Sequence, residues 1–331
     1  MTADENDRLS FLCALHLLFI FLGGLAYFLV MLAINGSDWV AQPYNGYIYA
    51  EDATLSAGTI TDRDGMILAK TEDGARTYAE SESVRRSLLH TIGDSSGYIG
   101  TAVQAVHRSK LIGYNPITGL NDTIFSGFGA DIRLTIDADA NAAAFNAFGG
   151  RDGSAFLYNY ETGEVLVKIS APTYDPMNVP EDLSENEEYN GVFVDHTLSS
   201  SYTPGSIFKI VTAAAAMDAL SDWDTRTYTC EETYPVGSSQ ITCLDYHGEL
   251  TLEEALGHSC NIYFAKLALD IGADALQEKA EEMGFGETFR FDSVETNASE
   301  IDLSSASDLD LAWSSVGQAE VMANPVPHGA S

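Results

Sequence analysis

The sequence predicts an α+β fold from about residue 131 onward, set behind one apolar helix and a small intervening segment. Strand pairs joined by tight turns alternate with helical stretches, without the strict βαβ repeat that builds a parallel sheet. A single long apolar run stands near the N-terminus, where it reads as a separate element. The 331 residues, 45% hydrophobic and 20% charged, supply cores for one or two domains and argue against large-scale disorder.

Charge removes one class of function. Lys and Arg number 16 against 49 Asp and Glu, a formal charge of −33 that opposes binding to nucleic acid or to anionic lipid surfaces. It points to no particular substrate and is compatible with a general solubility bias.

Along the chain, residues 1–10 form a short tail expected on the cytoplasmic side. Residues 11–34, "FLCALHLLFIFLGGLAYFLVMLAI", carry no formal charge and as a helix would span roughly 36 Å, enough to cross a bilayer. A cleaved signal peptide is the alternative, but the run exceeds the usual apolar region of about 7 to 15 residues and no small-x-small site ends it. Arg8 precedes the span and the next basic residue is Arg63, a bias that favours an inside N-terminus with the bulk outside. Residues 35–130 read as a small membrane-proximal pedestal. Within it, 58–78 predicts two short strands around Asp64-Gly65, followed by a helix over about 80–89. From 131 to 331 a second domain opens with a strand ending at Asp137 and an alanine-rich helix. Residues 153–172 predict a hairpin around "ETGE", and 181–190 an acidic loop. No internal repeat is present.

Four cysteines occur, Cys13 in the apolar run and Cys230, Cys243 and Cys260 beyond it. None falls in a C-x-x-C pair or in His/Cys spacing of the zinc type, so no metal site is expected. Cys230 and Cys243 are open to two readings, a loop-closing disulfide in an oxidising exterior or free thiols.

The chemistry concentrates in "SYTPGSIFKIVTAAAAMDAL", residues 201–220. Ser206 and Lys209 are three apart, which puts both on one helix face a turn apart. At the positive helix end a serine alkoxide is favoured. Burial among Phe208, Ile210 and Val211 would lower the lysine pKa and free its amine to act as a base. The competing reading is a capped amphipathic helix whose lysine snorkels to water. Further on, "HGELTLEEALGHSCNIYFAKLAL" ends one helix near Leu256, turns at Gly257, and presents Ser259-Cys260-Asn261 at the entry to another. A hydroxyl and a carboxamide there can relay a proton and hold a substrate amide; the alternative is simple N-capping. A second S-x-N, Ser184 to Asn186, lies in the acidic loop and reads as chance.

Taken in order, these residues resemble a class B, monofunctional penicillin-binding protein, whose transpeptidase domain is marked by S-x-x-K, S-x-N and then K-T-G or K-S-G. "GTITDRDGMILA" (58–69) resembles the family's pedestal motif, with Asp64 where Asn is usual. "LTID" (134–137), "TGEVLVKISAPTYDP" (162–176), "YTPGSIFK" (202–209) and the 247–268 stretch follow in family order. The resemblance implies the penicillin-binding protein and serine β-lactamase-like fold, an antiparallel sheet flanked by helices. It implies Ser206 as acylated nucleophile, Lys209 as its base, Ser259 as proton relay and Asn261 as holder of the donor peptide. The expected activity is serine-type D,D-transpeptidation of peptidoglycan stem peptides at D-Ala-D-Ala, with β-lactams as covalent ligands, no metal or organic cofactor, and a membrane glycosyltransferase as partner.

None of the six lysines begins a K-T-G or K-S-G, and "VGQAEVMANPVPHGAS" (316–331) resembles the family's Gly-Gln-Gly segment with Ala319 for the last glycine. The resemblance therefore implies a chain that stops before its third motif. In the family that strand lines the site and supplies an oxyanion donor, a contact worth about 10² to 10³ in rate, and it belongs to the central sheet, so the 153–172 hairpin would be left with an open edge. Residues 35–331 alone are expected to be inactive or unstable; robust turnover by that purified piece would overturn this. The rival expectations are a non-catalytic penicillin-binding-like scaffold of a wall-synthesis complex, or a β-lactamase or β-lactam sensor.

Overall fold

The computed structural model describes residues 3–40, 57–73, 75–114 and 129–326. Parts of the expected pedestal and the last five residues lie outside these. The described chain divides into two compact units, residues 1–142 with 173–185 and residues 143–172 with 186–331. Residues 131–142, which the sequence reading groups with the following domain, thus fall in the first unit.

The first unit begins with α1 (Ala3–Val40). Within it Ala14–Gly36 is long and apolar enough to cross a membrane, with a mean hydropathy of 2.7. The expected hairpin is present as β1 (Ile60–Thr61) and β2 (Ile67–Glu72), and β3 (Ala75–Tyr78) extends it. Its turn is built by Asp62, whose Oδ1 accepts from the backbone N–H of Asp64 and Met66 at 2.9 and 2.8 Å. Helical turns α2 (Glu82–Ser87), α3 (Leu89–Ile92), α4 (Val103–Val106) and α5 (Arg108–Leu111) follow. Ser81 caps α2, with Glu82 in its first turn and Arg85 and Arg86 in its last, as the helix dipole favours. Next comes β4 (Ile132–Arg133), parallel to β1, which completes a sheet of order β3-β2-β1-β4. Gly58 is needed just before β1: a Cβ there would meet the Ala130 carbonyl oxygen at 2.0 Å. The unit ends within α6 (Ala138–Phe148), whose start is capped by Asp137 Oδ1 accepting from Ala140 N–H at 2.9 Å.

Residues 173–185 return to this unit through polar ties. The Arg85 guanidinium grips Asp175 with two bonds of 2.6 Å, and Tyr174 Oη donates to Asp94 Oδ2 at 2.6 Å. The hydrogen bond from Arg85 holds the Asp175 carboxyl below the usual carboxylate range despite burial.

The second unit opens with the predicted hairpin, β5 (Gly153–Tyr158) against β6 (Val165–Ala171), antiparallel, and among the described residues this sheet has two strands. Then come α7 (His196–Ser199), a 3₁₀ turn (Gly205–Phe208) and α8 (Lys209–Ala219). Short strands β7 (Tyr228–Cys230), β8 (Thr233–Val236), β9 (Ser239–Thr242) and β10 (Gly248–Leu250) lead to helices α9 (Leu252–Gly257), α10 (Asn261–Ile271) and α11 (Ala273–Glu282). Strand pairs β11 (Arg290–Phe291) with β12 (Val294–Glu295), and β13 (Glu300–Ile301) with β14 (Val321–Met322), flank α12 (Asp308–Ser314).

The core of this unit sits on α10. Ile262, Phe264 and Leu267 pack against Ala213, Ala216, Ile241 and Ala312, and a neighbouring cluster joins Ala268 with Phe208, Val211, Leu276 and Leu311. Full burial of each large aliphatic or aromatic side chain stabilises by about 1.5 to 3 kcal/mol, so the two segments that carry polar groups, 205–209 and 257–261, are anchored by apolar neighbours on either side. Phe208 stacks edge-on against Phe285 with ring centroids 5.4 Å apart.

Candidate active site

Ser206 lies in the 3₁₀ turn and Lys209 opens α8, so the two are carried on continuous helical backbone. That spacing brings Lys209 Nζ to 3.2 Å from Ser206 Oγ. The turn is held from behind. Tyr202 and Ala323 exchange two backbone hydrogen bonds of 2.8 Å, and Gly205 N–H donates to the Gly317 carbonyl at 2.9 Å. Gly317 has φ +76°, and a Cβ on it would meet the Gly205 carbonyl oxygen at 2.2 Å. Only glycine fits that approach. Ala319, standing where the family has its last glycine, has φ 53°. The sequence reading noted this segment as a motif and missed it as the backing of the nucleophile turn; the signal available was the glycine itself.

The second turn is set by α9, which begins with a capping box between Thr251 and Glu254. After Gly257 the chain passes through Ser259 at φ 54° and enters α10. The cap of α10 is Cys260, whose Sγ accepts from Tyr263 N–H at 3.4 Å. Ser259 is therefore not the capping residue, and its hydroxyl is directed elsewhere. Lys209 Nζ donates to it at 2.9 Å, to the Ser259 carbonyl at 2.5 Å and to Asn261 Oδ1 at 2.8 Å. Asn261 in turn donates through Nδ2 to the Thr242 carbonyl at 3.0 Å, fixing its amide against the end of β9.

The other three predicted site residues thus converge on the Lys209 side-chain nitrogen. Lys209 is fully buried, which excludes a snorkelling role, and its four acceptors are neutral. Of the neighbours expected to bury it, Phe208 and Val211 are buried and Ile210 is exposed, on the outer face of α8. Desolvation pushes the Lys209 pKa below its ordinary value, and the negative potential of Cys243 and Cys260 opposes that only in part. An amine that gives up its proton early, in reach of an exposed serine hydroxyl, has the arrangement that a nucleophile and its base require. Ser259 Oγ, on the other side of the same nitrogen, completes a path for a proton.

Two arrangements were not legible from spacing. Lys168 on β6 forms a buried ion pair with Asp195, which also caps α7 by accepting from Thr197 N–H at 3.1 Å. Of the two readings left open for the cysteines, the structure has the free thiols: Cys230, Cys243 and Cys260 are unpaired by disulfide, and they come together with His247, their ligand atoms within 4.8 Å of one another. The spacing scan looked for short-range pairs, whereas these four residues come from β7, the end of β9, the turn before β10 and the cap of α10.

The chain matches the family described as the penicillin binding protein transpeptidase domain over residues 153–327, more than half of its length. Among curated proteins it is 28% identical over 274 residues to the peptidoglycan D,D-transpeptidase PbpA of Mycolicibacterium smegmatis, covering 74% of this chain and 55% of that protein. It spans about half the length of the curated relatives it matches. Among solved structures, the D,D-transpeptidase domain of a peptidoglycan glycosyltransferase from Eggerthella lenta superposes with a TM-score of 0.66 at 26% identity, covering 82% of this chain and 67% of that one. The penicillin G acyl-enzyme complex of penicillin-binding protein A from M. tuberculosis gives a TM-score of 0.69 at 25% identity, covering 82% and 68%.

Proposed function

The chain belongs to the penicillin binding protein transpeptidase family, with the α+β fold of that domain, and from that premise we propose that it is the catalytic part of a class B peptidoglycan D,D-transpeptidase. Ser206 Oγ, relieved of its proton by the neutral Lys209 amine, attacks the carbonyl of the penultimate D-Ala of a stem peptide. An ester forms to Ser206, the D-Ala-D-Ala amide bond breaks, and the departing amine takes a proton passed through Lys209 and Ser259. Asn261 holds the donor peptide's amide. An amine of a neighbouring stem then attacks the ester, its C–O bond breaks, an amide forms, and Ser206 regains its proton. β-Lactams would acylate Ser206 and turn over slowly.

The observation that carries this reading is the placement of Lys209 Nζ at 3.2, 2.9 and 2.8 Å from Ser206 Oγ, Ser259 Oγ and Asn261 Oδ1 together. The apolar Ala14–Gly36 stretch supports a single-pass anchor, with the partition into anchor, pedestal and an extracytoplasmic catalytic domain that the sequence suggests, and with a membrane glycosyltransferase as partner. Fluorescent penicillin applied to the full-length gene product is the test. Covalent, persistent label that disappears in Ser206→Ala is expected. An unlabelled wild-type protein would sink the enzyme reading and favour a scaffold; label that is rapidly lost would indicate a β-lactamase.

A further inference from the structure

We propose that Cys230, Cys243, His247 and Cys260 form a tetrahedral zinc site that pins the turn bearing Ser259 and Asn261. It rests on the geometry of these four side chains and is independent of the transpeptidase reading.

The spacing of the ligand atoms is the first argument. A zinc ion with Zn–S near 2.3 Å and Zn–N near 2.0 to 2.1 Å in tetrahedral geometry requires S···N edges of about 3.6 Å and S···S edges of about 3.8 Å. The structure has Cys230 Sγ to His247 Nδ1 at 3.5 Å, Cys243 Sγ to His247 Nδ1 at 3.6 Å, and Cys243 Sγ to Cys260 Sγ at 3.9 Å. Three edges of the tetrahedron are therefore already at the lengths that a bound ion would impose. Three sulfurs and one imidazole are the donors that select zinc over calcium or magnesium.

The surroundings fit a thiolate site. Cys230 and Cys260 are fully buried, and backbone groups address the sulfurs: Tyr263 N–H donates to Cys260 Sγ, and the backbone of Asn261 and of Asp245 hydrogen-bonds to Cys243. Such bonds orient and stabilise metal-bound thiolates. The His247 ring also lies against His258, centroids 5.2 Å apart. With four protein ligands the site is closed, with no position left for water or substrate, which makes it a structural site.

Its place in the fold gives it a consequence. Cys260 stands between Ser259 and Asn261, and Cys243 follows Thr242, whose carbonyl holds the Asn261 amide. A metal joining Cys260 to Cys243, Cys230 and His247 would tie the second turn of the site to the end of β7, the end of β9 and the turn before β10. Ser259, at positive φ, sits in the stretch that such a tie would steady.

The full chain, purified through a tag free of histidine, should carry one zinc ion by plasma mass spectrometry. After exchange for Co²⁺ it should show sulfur-to-cobalt charge transfer and the intense visible bands of a tetrahedral site. Cys230→Ala should lower zinc affinity by at least ~10- to 100-fold, and His247→Cys, which keeps four ligands, should retain it. Should Cys230→Ala fail to fold, alkylation of wild type decides: the three thiols should be protected with zinc and released by a chelator. Zinc should also slow amide hydrogen exchange at 258–262. A folded chain that binds no zinc, a cobalt spectrum without sulfur bands, or a Cys243–Cys260 disulfide in the purified chain would each overturn the proposal.

Discussion

Lys168 and Lys209 lie in the same unit with their side chains removed from water, at 6% and 0% exposure, and the company they keep differs. Lys168 faces the carboxylate of Asp195, which itself caps α7. Lys209 faces two hydroxyls, a carbonyl and an amide oxygen, and its pKa is pushed down by burial. A buried cation with a carboxylate beside it is a fastener. One surrounded by neutral acceptors is held in place but left ready to lose its proton, and the difference lies in the partners alone, since the side chain is the same.

That contrast can be broken most directly by removing each amine. Lys209→Met should cut the rate at which fluorescent penicillin acylates the full-length product by roughly 10²- to 10⁴-fold, read by gel fluorescence, while Lys168→Met should leave the label on whatever fraction stays folded. Equal loss in both would erase the distinction. Next in size is stability: Asp195→Ala strands a buried charge and should cost about 3 to 5 kcal/mol in denaturant melts, whereas the apolar pair Lys168→Met with Asp195→Leu should cost less, about the 1 to 2 kcal/mol lost with the cap of α7. If that double change melts as badly as the single one, the ion pair is not the fastener described.

The pH dependence sharpens the comparison further. In the unfolded chain Lys209 holds its proton up to about pH 10.4, and in the folded chain it releases it earlier. Between those two values the unfolded state binds more protons, so folding stability should rise with pH there. Lys209→Met should flatten that rise in melts recorded across the window; a slope unchanged by the substitution would contradict a depressed lysine. Asp175 gives the same sign in a lower window, since Arg85 lowers its folded pKa: its contribution is present above about pH 3.9 and fades as pH falls below that. The smallest effect concerns the route to the second turn. Thr251→Ala removes the cap of α9 and should cost about 1 kcal/mol, measured as a shift of the denaturation midpoint, with acylation of the folded protein retained.

Much of this was written in local pattern. The hairpin at 153–172, the helix opened by Lys209 and the turn at Gly257 were readable because a period of two, a period near 3.6 and a glycine are local signals. The three-residue spacing of Ser206 and Lys209 was readable for the same reason. Other features were hidden because their causes are far apart in the chain. β4 joins the first unit by pairing in parallel with β1, and residues 173–185 return to that unit through Arg85 and Asp94. Nothing in the sequence around Cys230 marks it as a neighbour of His247.

The sequence by itself determined that Ser206 and Lys209 share a helix face, that Ser259 and Asn261 stand at the mouth of α10, and that one apolar stretch is long enough to cross a bilayer, since each follows from backbone periodicity and composition. Only the tertiary structure decided that Lys209 is sealed from water, that Cys260 rather than Ser259 caps α10, and that three scattered cysteines and a histidine share one small volume. Burial and long-range contact are properties of packing, and a pKa or a metal site depends on what packing brings near a group rather than on what precedes it in the chain.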